Sequence, residues 1–268
     1  MTGPILLIGA GRMGGALLKG WMGKGFEPLY VVEPEPAPEL RKQANAGRIP
    51  LHANIEDVSV DLRVCLIALK PQVLKREAAH LRPIAQGGTL MISIAAGIDT
   101  RFLAGAWGRK ARLVRAMPNT PGAIGRGISA LYASPQATAA DRKLAQDLLA
   151  ALGETLWVRR ESLIDAVTAV SGSGPAYVFL LVEALAEAAR AEGLPRDAAE
   201  KLARATVIGS GALLDADRRL SADLRRDVTS PGGTTAAALE ILTAGDGLRP
   251  LIARAVHAAR KRAEELGS

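Results

Sequence analysis

Ile5-Leu6-Leu7-Ile8-Gly9-Ala10-Gly11-Arg12-Met13-Gly14 is the stretch on which the fold turns. Four apolar residues in succession read as a short strand buried on both faces. The glycines that follow have the spacing GxGxxG, and the amphipathic pattern of Met13–Met22 begins at once. In a strand–turn–helix unit each glycine has a task. Gly9 permits the tight turn, Gly11 lets the backbone approach a pyrophosphate, and Gly14 lets helix and strand pack closely. The amides at the helix start then face the anion. A bare GxGxxG also occurs in plain glycine-rich turns, so its weight here comes from the flanking strand and helix. The candidate dinucleotide contacts from this stretch are Ile8, Gly9, Ala10, Gly11, Arg12, Met13 and Gly14.

Downstream, the same alternation repeats. Tyr30–Val32, Val64–Leu69, Thr89–Ile94 and Leu113–Ala116 are compact apolar runs that read as buried parallel strands. Amphipathic stretches at Pro38–Ala46 and Pro71–Ala85 lie between them, which gives a β-α-β rhythm and a doubly wound sheet. A strand around Ile128–Tyr132, a helix around Ala139–Leu152 and a strand around Thr155–Val158 complete a Rossmann-type α/β domain, assigned to residues 1–160. Beyond it the strand signals stop. Helical patterns at Ala176–Glu192, Pro195–Asp215, Thr234–Leu242 and Leu248–Leu266 predict an all-α domain over residues 161–268. Ala176–Glu192 confines its charges, Glu183, Glu187 and Arg190, to one narrow stripe, so its remaining faces need cover. A second copy of the chain is the expected cover, which makes this a dimerisation domain.

Composition narrows the function classes. Charged residues are 23% of the chain, close to the globular average, so wholesale disorder is excluded. The one cysteine, Cys65, lies mid-strand and reads as a buried thiol; it rules out a disulfide framework and fits a reducing cytosol. The three histidines are scattered, so no metal site is expected. The net charge of +7 comes from Lys and Arg interleaved with Asp and Glu along the whole chain. That pattern reads as a solvated basic surface that favours an anionic cofactor and substrate, with no nucleic-acid partner. Met1–Gly14 lacks the pattern of a secretory signal. The uncharged run Ala166–Val182 is interrupted by Ser171-Gly172-Ser173-Gly174-Pro175, so no membrane partner is expected. A cytoplasmic location follows from these readings together.

Two further features carry chemistry. Glu33 ends the second strand, nineteen positions after Gly14, where an acidic residue accepts hydrogen bonds from the adenosine ribose of NAD. Its plainer alternative is an exposed charge before a proline turn. Ser230-Pro231-Gly232-Gly233-Thr234-Thr235 precedes an Ala/Leu-rich helix and offers backbone amides and hydroxyls to an anion. An ordinary Ser/Thr/Gly helix cap would look the same locally. The Ser171–Pro175 break reads equally as a site or as a means of close helix packing.

Taken in order, Gly9–Gly14, Ala68-Leu69-Lys70-Pro71, Ser93–Gly97, Met117-Pro118-Asn119-Thr120-Pro121, Ser171–Tyr177 and Ser230–Thr235 resemble the Δ1-pyrroline-5-carboxylate reductase family over essentially the whole chain, Ile5 to Leu266. The resemblance implies hydride transfer from NADPH or NADH to 1-pyrroline-5-carboxylate, giving L-proline in the last step of proline biosynthesis. It implies an interlocked homodimer and, in many members, rings of dimers. It also implies that Ala68, Leu69, Lys70, Pro71, Ala95 and Asn119 line the cofactor groove and that Asn54 reaches the adenosine ribose or its phosphate. Ser230, Gly232, Gly233, Thr234 and Thr235 would hold the substrate carboxylate, with Thr235 beside the ring nitrogen as the catalytic residue. Two positions depart from the family's pattern. Arg12 stands where Asn is common, and Glu33 stands where small hydroxyl residues accommodate a 2′-phosphate. A carboxylate there tilts the preference toward NADH.

Two rival readings lack parts. A β-hydroxyacid dehydrogenase of the same two-domain plan places a lysine on the first helix of its second domain, and Ser171–Arg190 contains none. A non-catalytic nucleotide sensor would leave the Ser230–Thr235 loop without a purpose.

Overall fold

The computed structural model describes residues 3–267. Met1, Thr2 and Ser268, at the outer ends of the expected domain ranges, lie outside the described residues. In chain order the first elements are β1 (Ile5–Ile8), α1 (Arg12–Gly23), β2 (Leu29–Val32), α2 (Pro38–Asn45), β3 (Leu51–His52), β4 (Val64–Ile67), α3 (Pro71–Glu77) and α4 (Arg82–Gln86). There follow β5 (Leu90–Ser93), α5 (Thr100–Trp107), β6 (Arg112–Met117), β7 (Gly127–Ala133), α6 (Ala139–Leu149), β8 (Gly153–Trp157) and α7 (Leu163–Val167). All eight strands form one sheet in the order β3-β2-β1-β4-β5-β6-β7-β8. Pairing is parallel except between β6 and β7, so β7 runs against its neighbour. The expected doubly wound Rossmann-type sheet is present.

β1 and β4 are apolar at every position because helices cover both faces of the sheet. In β1, Ile5 and Leu7 join one core with Leu17 and Trp21, while Leu6 and Ile8 join a second with Leu74 and Trp107. Both buried indoles are satisfied: Trp21 donates to the Leu148 carbonyl at 2.9 Å and Trp107 to that of Ala78 at 2.8 Å. Cys65 is buried in β4, and desolvation pushes its thiol well above the ordinary range, so it is inert. α6 carries a capping box, Thr138 with Asp141, and the buried Asp141 also pairs with Arg112 at 2.9 Å.

The structure divides into two compact units, Met1–Gly172 with Ala259–Ser268, and Ser173–Ala258. The compact sheet unit thus extends to Gly172, past residue 160. Ile164 packs with Met117 and Ala130 of β6 and β7, which draws Leu163–Gly172 into the sheet unit. Pro71–Ala85 is not one helix: α3 gives way to a 3₁₀ turn at Ala78–Leu81, and Pro83 opens α4.

The second unit holds α8 (Gly174–Ala191), α9 (Arg196–Ala216), α10 (Ser221–Asp227) and α11 (Thr234–Leu242), and α12 (Leu248–Gly267) begins in it. Among its described residues only Ala186, Ala199 and Ala203 are buried apolar residues. Val178, Phe179, Leu180, Leu181 and Leu185 of α8 are 39–63% exposed. One copy of this unit has almost no core. α7 runs into a π-turn at Thr168–Gly172, and α8 begins after Ser173. By length and composition alone, the stretch Leu163–Ala191 is long and apolar enough to cross a membrane.

Candidate active site

In a sheet of this order, the crevice between β1 and β4, where the winding reverses, is the place for a ligand. The loops Gly9–Gly14 and Ala68–Pro71 leave the carboxyl ends of those two strands. They are tied together: the Ala68 amide donates to Ile8 at 2.8 Å, and a Cβ on Gly9 would come 2.9 Å from the Ala68 carbonyl oxygen. Gly9 has φ +88°, which the turn requires. A Cβ on Gly14 would collide with the Gly9 carbonyl oxygen, so helix and turn touch there. Around Gly11 the opposite holds, since a Cβ would meet nothing within 4 Å. The turn is closed on its protein side and open above Gly11, and no side chain caps α1. A pyrophosphate fits both features.

Glu33 follows β2 and turns back to this loop. Its carboxylate accepts from the Ala10 amide at 2.8 Å and from the Glu35 amide at 3.1 Å. Asn54 is exposed, two residues beyond β3, at the same edge; the Glu33 amide donates to His52 at 3.0 Å and joins the two strand ends. The remaining candidates are less open. Ala95 is 3% exposed, with its methyl in the core, so only its main chain could face a ligand. Asn119 already accepts from the Ile128 amide at 2.9 Å, which fixes the start of β7 and leaves its NH₂ group as donor.

In the second unit, Ser230–Gly233 forms a turn closed by a 3.0 Å bond from the Gly233 amide to Ser230, directly before α11. No side chain caps α11, although Thr234 and Thr235 occupy its first turn. The cap reading of this loop therefore fails in its simplest form: the hydroxyls are not spent on the helix's own amides, and the end stays available to a carboxylate.

Arg115 escapes a reading of the sequence alone. It stands inside the apolar run of β6, 2% exposed, and meets Glu161 at 3.4 Å and Asp165 at 3.3 Å. A lone arginine within a buried strand is the available signal.

A glycine turn at the switch point, backed by a carboxylate at the end of β2, defines a dinucleotide-binding protein of the Rossmann class. A family model described as pyrroline-5-carboxylate reductase dimerisation matches residues 161–266, and one described as NADP oxidoreductase, coenzyme F420-dependent, matches residues 4–97. The pyrroline-5-carboxylate reductase of Pseudomonas aeruginosa is 40% identical over 268 residues, 99% of this chain and 97% of the relative. The structure of a pyrroline-5-carboxylate reductase from Coxiella burnetii aligns with a TM-score of 0.92 at 34% identity, covering 100% of both chains. That of a Plasmodium falciparum pyrroline carboxylate reductase with NADP bound aligns with a TM-score of 0.83 at 26% identity, covering 99% and 98%. The chain belongs to the pyrroline-5-carboxylate reductase family. It is an oxidoreductase that uses a nicotinamide cofactor and carries a dimerisation domain. That domain's model covers α8 and its open apolar faces.

Proposed function

We propose that this chain reduces 1-pyrroline-5-carboxylate to L-proline, using NADH at least as readily as NADPH, as a soluble cytoplasmic homodimer that can assemble into rings. Kinship at 40% identity across both units carries this assignment. When bound, a reduced nicotinamide supplies the hydride. The C=N double bond becomes a C–N single bond: its carbon takes the hydride, and the nitrogen, arriving protonated, keeps its proton.

The residues have little acid–base work to do, because the iminium is already polarised. Their work is holding and orienting. Gly9–Gly14 would hold the pyrophosphate, Glu33 and Asn54 the adenosine ribose, and Ala68–Pro71 with Asn119 the groove beyond. The uncapped start of α11, with Ser230, Gly232, Gly233 and Thr234, would hold the substrate carboxylate, and the Thr235 hydroxyl would orient the nitrogen. Following dinucleotide oxidation by absorbance with pyrroline-5-carboxylate, and reduction with a β-hydroxyacid, tests the assignment. Turnover of the imine alone supports it. Binding of dinucleotide without turnover of either substrate would leave the sensor reading instead.

A further inference from the structure

Arg115 is the end-strand partner of Ser93 in the β5–β6 register, two residues before the Met117–Pro121 loop. Its guanidinium spans two carboxylates that come from far along the chain, Glu161 before α7 and Asp165 within it. Glu161 in turn accepts from both the amide and the hydroxyl of Thr100, at 2.7 and 2.5 Å, at the first turn of α5. The cluster thus joins three segments of the sheet unit: the loop from β5 to Thr100, the end of β6, and α7. α7 runs directly into the π-turn Thr168–Gly172, where Thr168 and Ser171 bond back to the Ile164 and Val167 carbonyls. Turns of this kind are frequent at functional sites.

Stability alone is a poor reason for such a cluster. Desolvation of a buried ion pair commonly cancels its Coulombic gain, and apolar residues of like volume serve a core as well. Here the guanidinium also leaves Nε without an acceptor among the described residues, in a nearly fully buried position. The contacts to Glu161 and Asp165 are long for charge-assisted bonds, which is what one planar group bridging two separate anchors gives.

We infer that Arg115 is a positioning residue for the reductase: through Glu161 and Asp165 it fixes the Ile94–Thr100 loop and the π-turn Thr168–Gly172 at one spacing beside Met117–Asn119. This rests on the assignment of the loops after β5 and β6 to the cofactor groove.

Arg115→Lys, Arg115→Met, Glu161→Gln and Thr100→Val, made in the full chain, test it with three readouts: melting temperature, dinucleotide dissociation constant by fluorescence, and kcat and KM for pyrroline-5-carboxylate. Thr100→Val removes one hydrogen bond, so dinucleotide affinity and kcat are expected to fall about fivefold each. Glu161→Gln and Arg115→Met are expected to cost more, Arg115→Lys less than Arg115→Met, and KM for the imine to stay within about twofold throughout, since the substrate loop is not involved. Should Arg115→Met fail to fold, Arg115→Lys and Thr100→Val decide. Lowered melting temperatures with wild-type dissociation constant and kcat per folded molecule would overturn the inference and leave a packing role. A wild-type chain that binds dinucleotide but reduces no imine would remove the proposed function, while the dissociation constants would still decide the part played by Arg115.

Discussion

Replacing Glu33 is expected to shift the balance between the two nicotinamide cofactors. Its carboxylate holds the Ala10 amide at 2.8 Å and the Glu35 amide at 3.1 Å, which fixes one negative charge at the rim of the glycine turn. NADH brings two ribose hydroxyls to that rim, and the free lone pairs of the carboxylate can accept from them. NADPH brings a doubly negative phosphate instead. For unit charges about 5 Å apart the repulsion is roughly 0.8 kcal/mol at the dielectric of water and about 3 kcal/mol at an effective value of about 20. Glu33 is half-buried, which sets the repulsion between those limits. A penalty of about 1–2 kcal/mol results, about a factor of ten in relative kcat/KM.

Two substitutions divide that effect from its structural companion. Glu33→Gln removes the charge and keeps a carbonyl oxygen for the Ala10 amide. It is expected to move the NADPH/NADH ratio of kcat/KM about tenfold toward NADPH with little loss in the better cofactor. Glu33→Ser is expected to move the ratio equally but to lower both efficiencies, because the Ala10 amide loses a charge-assisted bond worth roughly 1.5–3 kcal/mol. Steady-state kinetics with both cofactors at saturating imine give the ratios. A wild-type chain that strongly prefers NADPH, with neither variant changing the ratio, would refute the argument: Glu33 would then serve the Ala10 amide alone.

Three further outcomes are expected. Thr235→Ala will lower kcat/KM for pyrroline-5-carboxylate about ten- to hundredfold, one hydrogen bond to a charged group, with the dinucleotide dissociation constant unchanged in titration; undiminished efficiency would remove Thr235 from the site. Gly11→Ala will leave the melting temperature within about 1 °C, since its Cβ meets nothing within 4 Å, yet weaken dinucleotide binding, whereas Gly14→Ala, whose Cβ would collide with the Gly9 oxygen, will lower both; unaltered binding in Gly11→Ala would mean that no pyrophosphate approaches there. Dilution will inactivate and unfold the helical unit together, because each fully buried large apolar side chain is worth roughly 1.5–3 kcal/mol and α8 leaves Val178, Phe179, Leu180, Leu181 and Leu185 open in one copy; a stable, active monomer in sedimentation would contradict this.

What the sequence makes legible, and what it does not, follows from where each residue finds its partners. Apolar runs mark β1, β4 and β5 because a strand covered on both faces has little reason to carry a polar side chain. β3 has two residues and no such signature; it exists through its pairing with Val31 and Val32. α5 escapes a reading by apolar runs as well, though Asp99 caps it by accepting from the Phe102 amide at 2.7 Å. The reversed direction of β7 is within reach of the sequence. Only the short segment between Met117 and Gly127 joins β6 to β7, too few residues for the crossover that parallel strands need.

The candidate site divides in the same way. Gly9, Gly11 and Gly14 act through backbone that is adjacent in sequence, so their spacing alone announces them, and the structure closes that turn where the spacing requires it to be closed. Glu33 is found by its distance from the fingerprint, but its bond to the Ala10 amide, the feature that fixes its charge, is not. Arg115 lies at the far extreme. Its carboxylates are 46 and 50 positions away, so no short window of sequence contains both partners. What such a window does contain is an inconsistency: a guanidinium in a strand whose neighbours Leu113, Val114, Ala116 and Met117 are all buried. A buried charge must be paired or be very costly. An arginine at that place is therefore itself a statement that acidic residues arrive from elsewhere, and reading the strand as merely apolar discards the one residue in it that has something further to say about the site.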